Sequence, residues 1–422
     1  MSFETVSVVG LGYIGLPTAA MFASRKKKVI GVDVNQHAVE TINQGKIHIV
    51  EPELDMIVHA AVTEGYLKAV TTPEPADAFL IAVPTPFKGD HEPDLAYIEA
   101  ASKAIAPVLK KGDLVILEST SPVGATEQMA EWLAEARGDL SFPQQAGEVA
   151  DVNIAHCPER VLPGHVVREL VENDRVIGGM TPKCSARSIE LYKTFVEGDC
   201  VTTNARTAEM AKLTENSCRD VQIAFANELS VICDKLNINV WELISLANRH
   251  PRINILQPGP GVGGHCIAVD PWFIVSKTPN EARLIHTARN VNNDKPEWVL
   301  DKVKASIAEF LLSNETKTTK DIKVACYGLT FKPNIDDLRE SPALSIAEKV
   351  VGLGLNSVQF IEPNIEQLPK SLYEYGDLVT AEQAIDQADI HVLLVPHNEF
   401  LEVSTSFKSQ KHIVDTIGLT SR

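Results

Sequence analysis

The sequence predicts an α/β protein in three parts: two doubly wound domains with parallel sheets, joined by a central domain of long helices. Three observations carry this expectation. Short β-branched apolar runs alternate with amphipathic stretches over residues 1–202, as strands buried on both faces of a βαβ sheet require. Residues 204–236 contain no Gly or Pro, and helical spacing dominates residues 203–312 apart from a Gly/Pro-rich break at 251–271. After a polar stretch, SNETKTTK (313–320), the α/β alternation resumes over residues 313–422. A chain of 422 residues is too long for one ordinary core, which agrees with a division at about 202 and 312.

In the first part the strand candidates are VSVVG (6–10), KVIGVD (28–33), AFLIAVP (78–84), DLVILEST (113–120) and VNIAHCPE (152–159). In the last they are IKVACYG (322–328), SVQFIEP (357–363), DIHVLLVP (389–396) and HIVD (412–415). The middle helix carries apolar turns on both sides of Lys212 (Met210, Ala211, Val221, Ile223, Ala224, Phe225), which predicts that it is mostly buried.

Composition removes several classes of function. Hydrophobic residues make up 44% and charged residues 23%, a folded rather than disordered profile. Subtracting 56 acidic from 39 basic residues gives −17, which argues against a general nucleic-acid binder but leaves room for a local basic cluster on a small anion. The seven cysteines are odd in number and scattered without a CxxC pair, so neither a disulfide framework nor a metal site is expected. No apolar run approaches the roughly 20 residues that span a bilayer. With no signal-like leader, a soluble cytoplasmic protein is expected.

Four segments carry chemistry. Gly10-Leu11-Gly12-Tyr13-Ile14-Gly15 follows the first strand, where glycines allow a tight turn and close approach of backbone to a pyrophosphate at a helix N-terminus. The second strand ends on Asp33, at the spacing of an acid that accepts from ribose hydroxyls and repels a 2′-phosphate. The expected cofactor is NAD, on a Rossmann-like domain. Gly261-Val262-Gly263-Gly264-His265-Cys266, with Asp270 four residues on, reads either as a glycine-flanked nucleophile or as a structural cysteine beside a loop. His265 is read as a backbone spacer. In KLTENSCRD (212–220), Lys212, Asn216 and Arg219 share one helix face, equally consistent with a solvated face or an anion site. Leu329–Pro342, LTFKPNIDDLRESP, follows a strand and Gly328 at the end of a sheet where ligands bind, and Ser341 is a helix-cap candidate. Pro84-Thr85-Pro86 and 119–124 (STSPVG) also end strands, as plain turns or as walls of the cofactor cleft.

Together with CPERVLPG (157–164), these segments occur in the order seen in the UDP-glucose/GDP-mannose dehydrogenase family, which the chain resembles over nearly its whole length. GLGYIGLPTA and CPERVLPG most resemble the branch acting on UDP-N-acetyl-hexosamines of surface-polysaccharide synthesis, with UDP-N-acetyl-D-mannosamine as the expected sugar. The resemblance implies a four-electron oxidation of a C6 alcohol to a carboxylate with two NAD⁺. It implies Lys212 as the group taking the hydroxyl proton, Asn216 and Asp270 positioning water and thiol, Cys266 as the nucleophile, and Glu159 or Thr120 ordering the hydrolytic water. It assigns Tyr13, Ile14, Asp33, Thr85, Thr126 and Arg339 to NAD. It assigns Arg160, Val161, Lys212, Asn216, Arg219, His250, Arg252, Gly263, Phe331 and Lys332 to the UDP-sugar. It further implies a homodimer through the middle helices, with Arg252 reaching the partner's site. His265 departs from the Ser or other small residue of many relatives, which bears on sugar choice.

Two other readings compete. A two-electron dehydrogenase of the 3-hydroxyacid type pairs a Rossmann-like domain with helices and a lysine, but needs neither the cysteine nor a second α/β domain. A nucleotide-binding regulator would keep the glycine turn without Lys212, Asn216, Cys266 and Asp270 together.

Overall fold

The computed structural model describes residues 3–421 apart from 50, 162, 163, 265 and 356. His265, and two residues of the CPERVLPG segment, therefore lie outside the described residues. The chain divides into two compact units, residues 1–215 and 216–422.

The first unit is built on an eight-stranded sheet. Its spatial order is Cys200–Asn204, Arg175–Gly179, Asn153–His156, Leu114–Leu117, Ala78–Ile81, Thr5–Val9, Lys28–Val32 and Leu67–Val70. Alternate residues of the central strands enter cores on opposite faces. Val6 and Val8 pack on one side with Leu16 and Phe22, whereas Val9 packs on the other with Ile30, Phe79 and Ile81. Burial on both faces is what the near-continuous apolar runs predict. The order reverses at Thr5–Val9, which lies between Lys28–Val32 and Ala78–Ile81, so the strand ends there open onto a switch point.

The sheet departs from an all-parallel one at Asn153–His156, which pairs antiparallel with Arg175–Gly179. Among the described residues the connection holds only the short helix Val166–Glu172, and it returns the chain along its neighbour without a crossover. Leu67–Val70, Arg175–Gly179 and Cys200–Asn204 escaped the sequence reading because short or partly polar strands lack the continuous apolar signature.

The second unit carries a five-stranded parallel sheet in the order Gly376–Leu378, Ser357–Ile361, Lys323–Tyr327, Ile390–Leu393, Ile413–Asp415. Val324 and Cys326 enter one core while Ala325 and Tyr327 enter the other. Its helices include Val240–Ala247, Asp270–Lys277 and Arg283–Ser313.

The helix Ala205–Lys235 is continuous over 31 residues, as the absence of Gly and Pro predicts. The expectation that it is mostly buried fails. Met210 and Phe225 are exposed and Val221 and Ile223 only half-buried, while Ala208, Leu213, Ala224 and Ala226 form the packed face. Its apolar residues occupy two faces, and only one is covered by the described residues.

Candidate active site

In the first unit the turn after Thr5–Val9 is shaped for close approach. A Cβ on Gly15 would lie 1.7 Å from the Gly10 carbonyl oxygen, so the helix Gly15–Ser24 sits on the turn only because residue 15 is glycine. Gly12 is exposed, and a Cβ there would meet nothing within 4 Å. Thus Gly15 serves packing, and Gly12 leaves an open cradle at a helix N-terminus, where a pyrophosphate fits. Tyr13 is exposed and Ile14 half-buried beside it. Asp33 follows Lys28–Val32; its Oδ2 accepts from the Leu11 amide at 2.8 Å and its Oδ1 from the Asn35 amide at 2.8 Å. The carboxylate is thereby fixed at the strand end while remaining partly exposed. The residues present fit a dinucleotide of the NAD type.

The neighbouring strand ends are tied together. Thr85 Oγ1 donates to the Thr120 carbonyl at 2.6 Å, and Ser119 Oγ to the Val83 carbonyl at 2.7 Å. The helix Ala125–Ala136 then starts against a carboxylate from Ala205–Lys235. Glu209 accepts from the Gly124 amide (2.7 Å), the Thr126 amide (2.8 Å) and the Thr126 hydroxyl (2.6 Å). A carboxylate suits the positive end of a helix. It also fixes the register of the long helix three residues before Lys212, which is half-buried. Thr126 is fully buried, with its hydroxyl held by Glu209.

Glu159 is buried, 2.8 Å from the Arg175 guanidinium, and its Oε1 accepts from the Arg160 amide. Glu118 lies on the far side of Arg175, 4.0 Å away, and accepts from the Tyr192 hydroxyl. Burial pushes the Glu118 carboxyl from 4.5 up to about 7, although Arg175 pulls it down. Arg160 is held by Glu215, with Nη2 at 2.7 Å and Nε at 3.1 Å; Val161 beside it is half-buried.

In the second unit Cys266 is exposed on a loop that is anchored at both ends. The Gly259 amide donates to Asn227 Oδ1 at 2.9 Å, and Arg289 Nη1 reaches the Ile267 carbonyl at 3.5 Å. Asn227 bonds Asn292 at 2.9 Å; Asn292 donates to Asp220 Oδ1 at 2.8 Å; and Arg289 donates to the same oxygen at 2.7 Å. Asp220, Asn227, Arg289 and Asn292 are all buried. Just after the cysteine, the Asp270 amide donates to the Cys266 carbonyl at 2.8 Å and opens the helix Asp270–Lys277. Asn216 Nδ2 donates to Asp270 Oδ2.

The glycines of this loop meet the segment after Lys323–Tyr327. A Cβ on Gly263 would lie 2.3 Å from the Glu340 carbonyl oxygen and 2.9 Å from Phe331 Cβ, and one on Gly264 2.9 Å from the Phe331 ring. Only glycine admits this approach, and it sets the cysteine loop against Phe331. Lys332 is exposed. Arg339 pairs in bidentate fashion with Asp337, Nε at 2.8 and 2.9 Å from its two oxygens. Ser341 caps the following helix, accepting from the Leu344 amide, and its hydroxyl donates to the Leu329 carbonyl at 2.7 Å. Arg219, His250 and Arg252 are exposed.

Residues 4–196 match the NAD binding domain of the UDP-glucose/GDP-mannose dehydrogenase family, residues 206–294 its central domain and residues 325–422 its UDP binding domain. The chain belongs to the UDP-glucose/GDP-mannose dehydrogenase family. It is 70% identical over 419 residues to a UDP-N-acetyl-D-mannosamine dehydrogenase of Yersinia pestis, covering 99% of this chain and 100% of that one. It is 64% identical over 421 residues to an NDP-N-acetyl-D-galactosaminuronic acid dehydrogenase of Ralstonia solanacearum, covering 100% of this chain and 97% of that one. A solved UDP-D-ManNAc dehydrogenase from Pyrococcus horikoshii superposes with a TM-score of 0.85 at 38% identity, covering 98% of this chain and 96% of that one. Membership makes the chain an NAD-dependent nucleotide-sugar dehydrogenase, an oxidoreductase with a UDP-sugar-binding domain. The two-electron and regulatory readings fall with it.

The glycine turn, Asp33, the cysteine loop and Phe331 of this dehydrogenase were readable from its motifs. The residues that hold them were not. Glu209, Arg175, Arg289 and Asn292 are buried, yet each stands close to other polar residues in the chain, so nothing in the sequence singles them out. Asp220 closes the KLTENSCRD segment, but its role depends on a partner 69 residues away.

Proposed function

We propose that this enzyme oxidises UDP-N-acetyl-D-mannosamine at C6 to the uronate, in four electrons, with the aldehyde held on Cys266. The observation that carries this reading is the doubly anchored glycine loop that presents an exposed thiol four residues before an Asp bonded to Asn216. The 70% identity over the full length of the Yersinia pestis relative supports the sugar.

NAD, when bound, accepts one hydride at each oxidation. Lys212 takes the proton from the 6-hydroxyl in the first step. The Cys266 sulfur then bonds to the aldehyde carbon, and the thiol proton passes to the new hydroxyl oxygen. Loss of a hydride from the tetrahedral carbon and of that proton from its hydroxyl oxygen leaves a thioester. Water, ordered by Thr120 or Glu159, adds to it and the C–S bond breaks, returning the thiol and releasing the carboxylate. Asn216 and Asp270 act as a pair that orients thiol and water. Arg160, Val161, Arg219, His250, Gly263, Phe331 and Lys332 hold the UDP-sugar. Gly10, Gly12, Tyr13, Ile14, Gly15, Asp33, Thr85, Thr126 and Arg339 serve NAD.

The working unit is a homodimer, with Arg252 supplied across the interface. Phe225, Ile232, Leu236, Ile238 and Leu246 support it, because these apolar residues on Ala205–Lys235, on Val240–Ala247 and on the turn between them stand exposed. A cytoplasmic location accords with an odd number of scattered cysteines and no CxxC pair. Among the described residues no helix is long and apolar enough to cross a membrane.

The 64% identity to the Ralstonia relative favours a galacto-configured sugar as the second reading. NADH release across UDP-ManNAc, UDP-GlcNAc, UDP-GalNAc, UDP-glucose and GDP-mannose separates the two. The highest kcat/KM is expected for UDP-ManNAc, and a preference for UDP-GalNAc would replace it with the second reading.

A further inference from the structure

The two sheets of this dehydrogenase repeat one local design, and the place where they differ exposes a device in the UDP-sugar domain. Gly10-Leu11 follows Thr5–Val9, and Gly328-Leu329 follows Lys323–Tyr327. The Gly10 amide donates to the Val32 carbonyl at 2.8 Å and the Gly328 amide to the Ile361 carbonyl at 2.7 Å. The next residue is an acid in both cases, Asp33 and Glu362. Each glycine also abuts a Val-Pro pair after the neighbouring strand: Gly10 meets Val83 and Gly328 meets Val395. The residue after that pair is Thr85 in the first domain and His397 in the second. Thr85 is half-exposed, whereas His397 and Glu362 have fully buried side chains 2.9 Å apart.

The hydrogen bonds fix the state of the imidazole. His397 Nδ1 accepts from the Asn334 backbone amide at 3.0 Å and sits 3.0 Å from Asn364 Nδ2. A backbone N–H can only donate, so Nδ1 is unprotonated and Nε2 carries the hydrogen, which it donates to Glu362 Oε2. The same carboxylate oxygen accepts from the Leu329 amide at 2.8 Å and the Thr330 amide at 3.1 Å. Thr330 Oγ1 donates to the Lys332 carbonyl at 3.0 Å, and Asn334 Oδ1 accepts from the Asn398 amide at 3.0 Å. Asn334 adopts φ 61°, a left-handed conformation that a non-glycine residue keeps only where surrounding bonds impose it. Five of these bonds fall on residues 329–334, the stretch that carries Phe331 and Lys332.

We propose that His397 is a positioning residue for the UDP-sugar: through Glu362 at one end and the Asn334 amide at the other, it sets the segment that presents Phe331 and Lys332. This rests on the reading that those two residues contact the nucleotide sugar. The two faces of the imidazole can be tested separately, because Asn places an acceptor near Nδ1 and Gln a donor near Nε2. His397→Asn keeps the bond from Asn334, and His397→Gln keeps the bond to Glu362. Steady-state kinetics of the full-length enzyme, with Lys332→Ala alongside, are the measurement. His397→Gln is expected to raise the KM for the UDP-sugar by about tenfold or more, as loss of a buried partner does. His397→Asn should raise it by less than about threefold, with the KM for NAD unchanged in both. Equal rises in both KM values, or a larger effect of Asn than of Gln, would overturn the positioning role. No rise in Lys332→Ala would instead remove the contact reading on which it rests, and a rise there without one in His397→Gln would overturn the proposal alone. Thermal denaturation of each variant separates these outcomes from failure to fold.

Discussion

Asp220→Ala probes the buried network that anchors the cysteine loop. Asp220 and Arg289 are 0% and 2% exposed as side chains and 2.7 Å apart. Removing the acid leaves an uncompensated guanidinium in the interior, which costs about 3–5 kcal/mol. The hydrogen bonds give a consistent figure. Asn292 keeps the Asp220 carbonyl as an acceptor, so the main loss is the charged bond to Arg289, about 3 kcal/mol. For a unit of this size each kcal/mol shifts the midpoint by about 2–4 °C, so thermal denaturation should show Tm lowered by roughly 6–20 °C. The same variant frees the Ile267 end of the loop, so kcat should fall by more than about tenfold while the KM for NAD holds. Asp220→Ala/Arg289→Met removes the stranded charge and should recover most of the lost stability, because an apolar pair can replace a buried ion pair at little cost. A Tm within about 2 °C of wild type for Asp220→Ala, or no recovery in the double variant, would refute the reasoning.

Two further predictions concern the first unit. Burial holds the Glu118 carboxyl at about 7 against 4.5 unfolded, so its stabilising contribution is complete below pH 4.5 and lost as pH rises through 7. Glu118→Gln keeps the acceptor for Tyr192 without the charge. Its stability curve should lack that fall, on the order of 3 kcal/mol, and a slope identical to wild type between pH 4.5 and 8 would count against it. Gly12→Ala meets no neighbour within 4 Å and should leave Tm unchanged while raising the KM for NAD several-fold. Gly15→Ala, with a Cβ 1.7 Å from Gly10 O, should lower Tm markedly; isothermal titration with NAD and melting curves check both.

How far the sequence could be read depended on whether a residue's role was local. Gly10, Gly15 and Asp33 lie within one strand–turn–helix–strand, so their spacing alone marks them. Cys266 and Phe331 are 65 residues apart in sequence, yet each sits in a segment whose composition marks it, and the missing Cβ atoms of Gly263 and Gly264 bring the segments together. The partners that hold these segments left no periodic trace. Glu209 caps a helix 83 residues away, and His397 accepts from an amide 63 residues away, by long-range bonds that spacing cannot encode. The exposure of Met210 and Phe225 was misread for a related reason. Exposed apolar residues are common on helices, so an apolar composition does not say which faces the chain itself covers.

In the proposed mechanism the thiol on Cys266 is what separates the reaction from a simple alcohol oxidation. Counting NADH formed per UDP-sugar consumed, in the wild type and in Cys266→Ser, tests it. Two NADH per sugar with carboxylate as the product are expected for the wild type, and at most one for Cys266→Ser. Two NADH and full conversion to the uronate by Cys266→Ser would contradict the assignment.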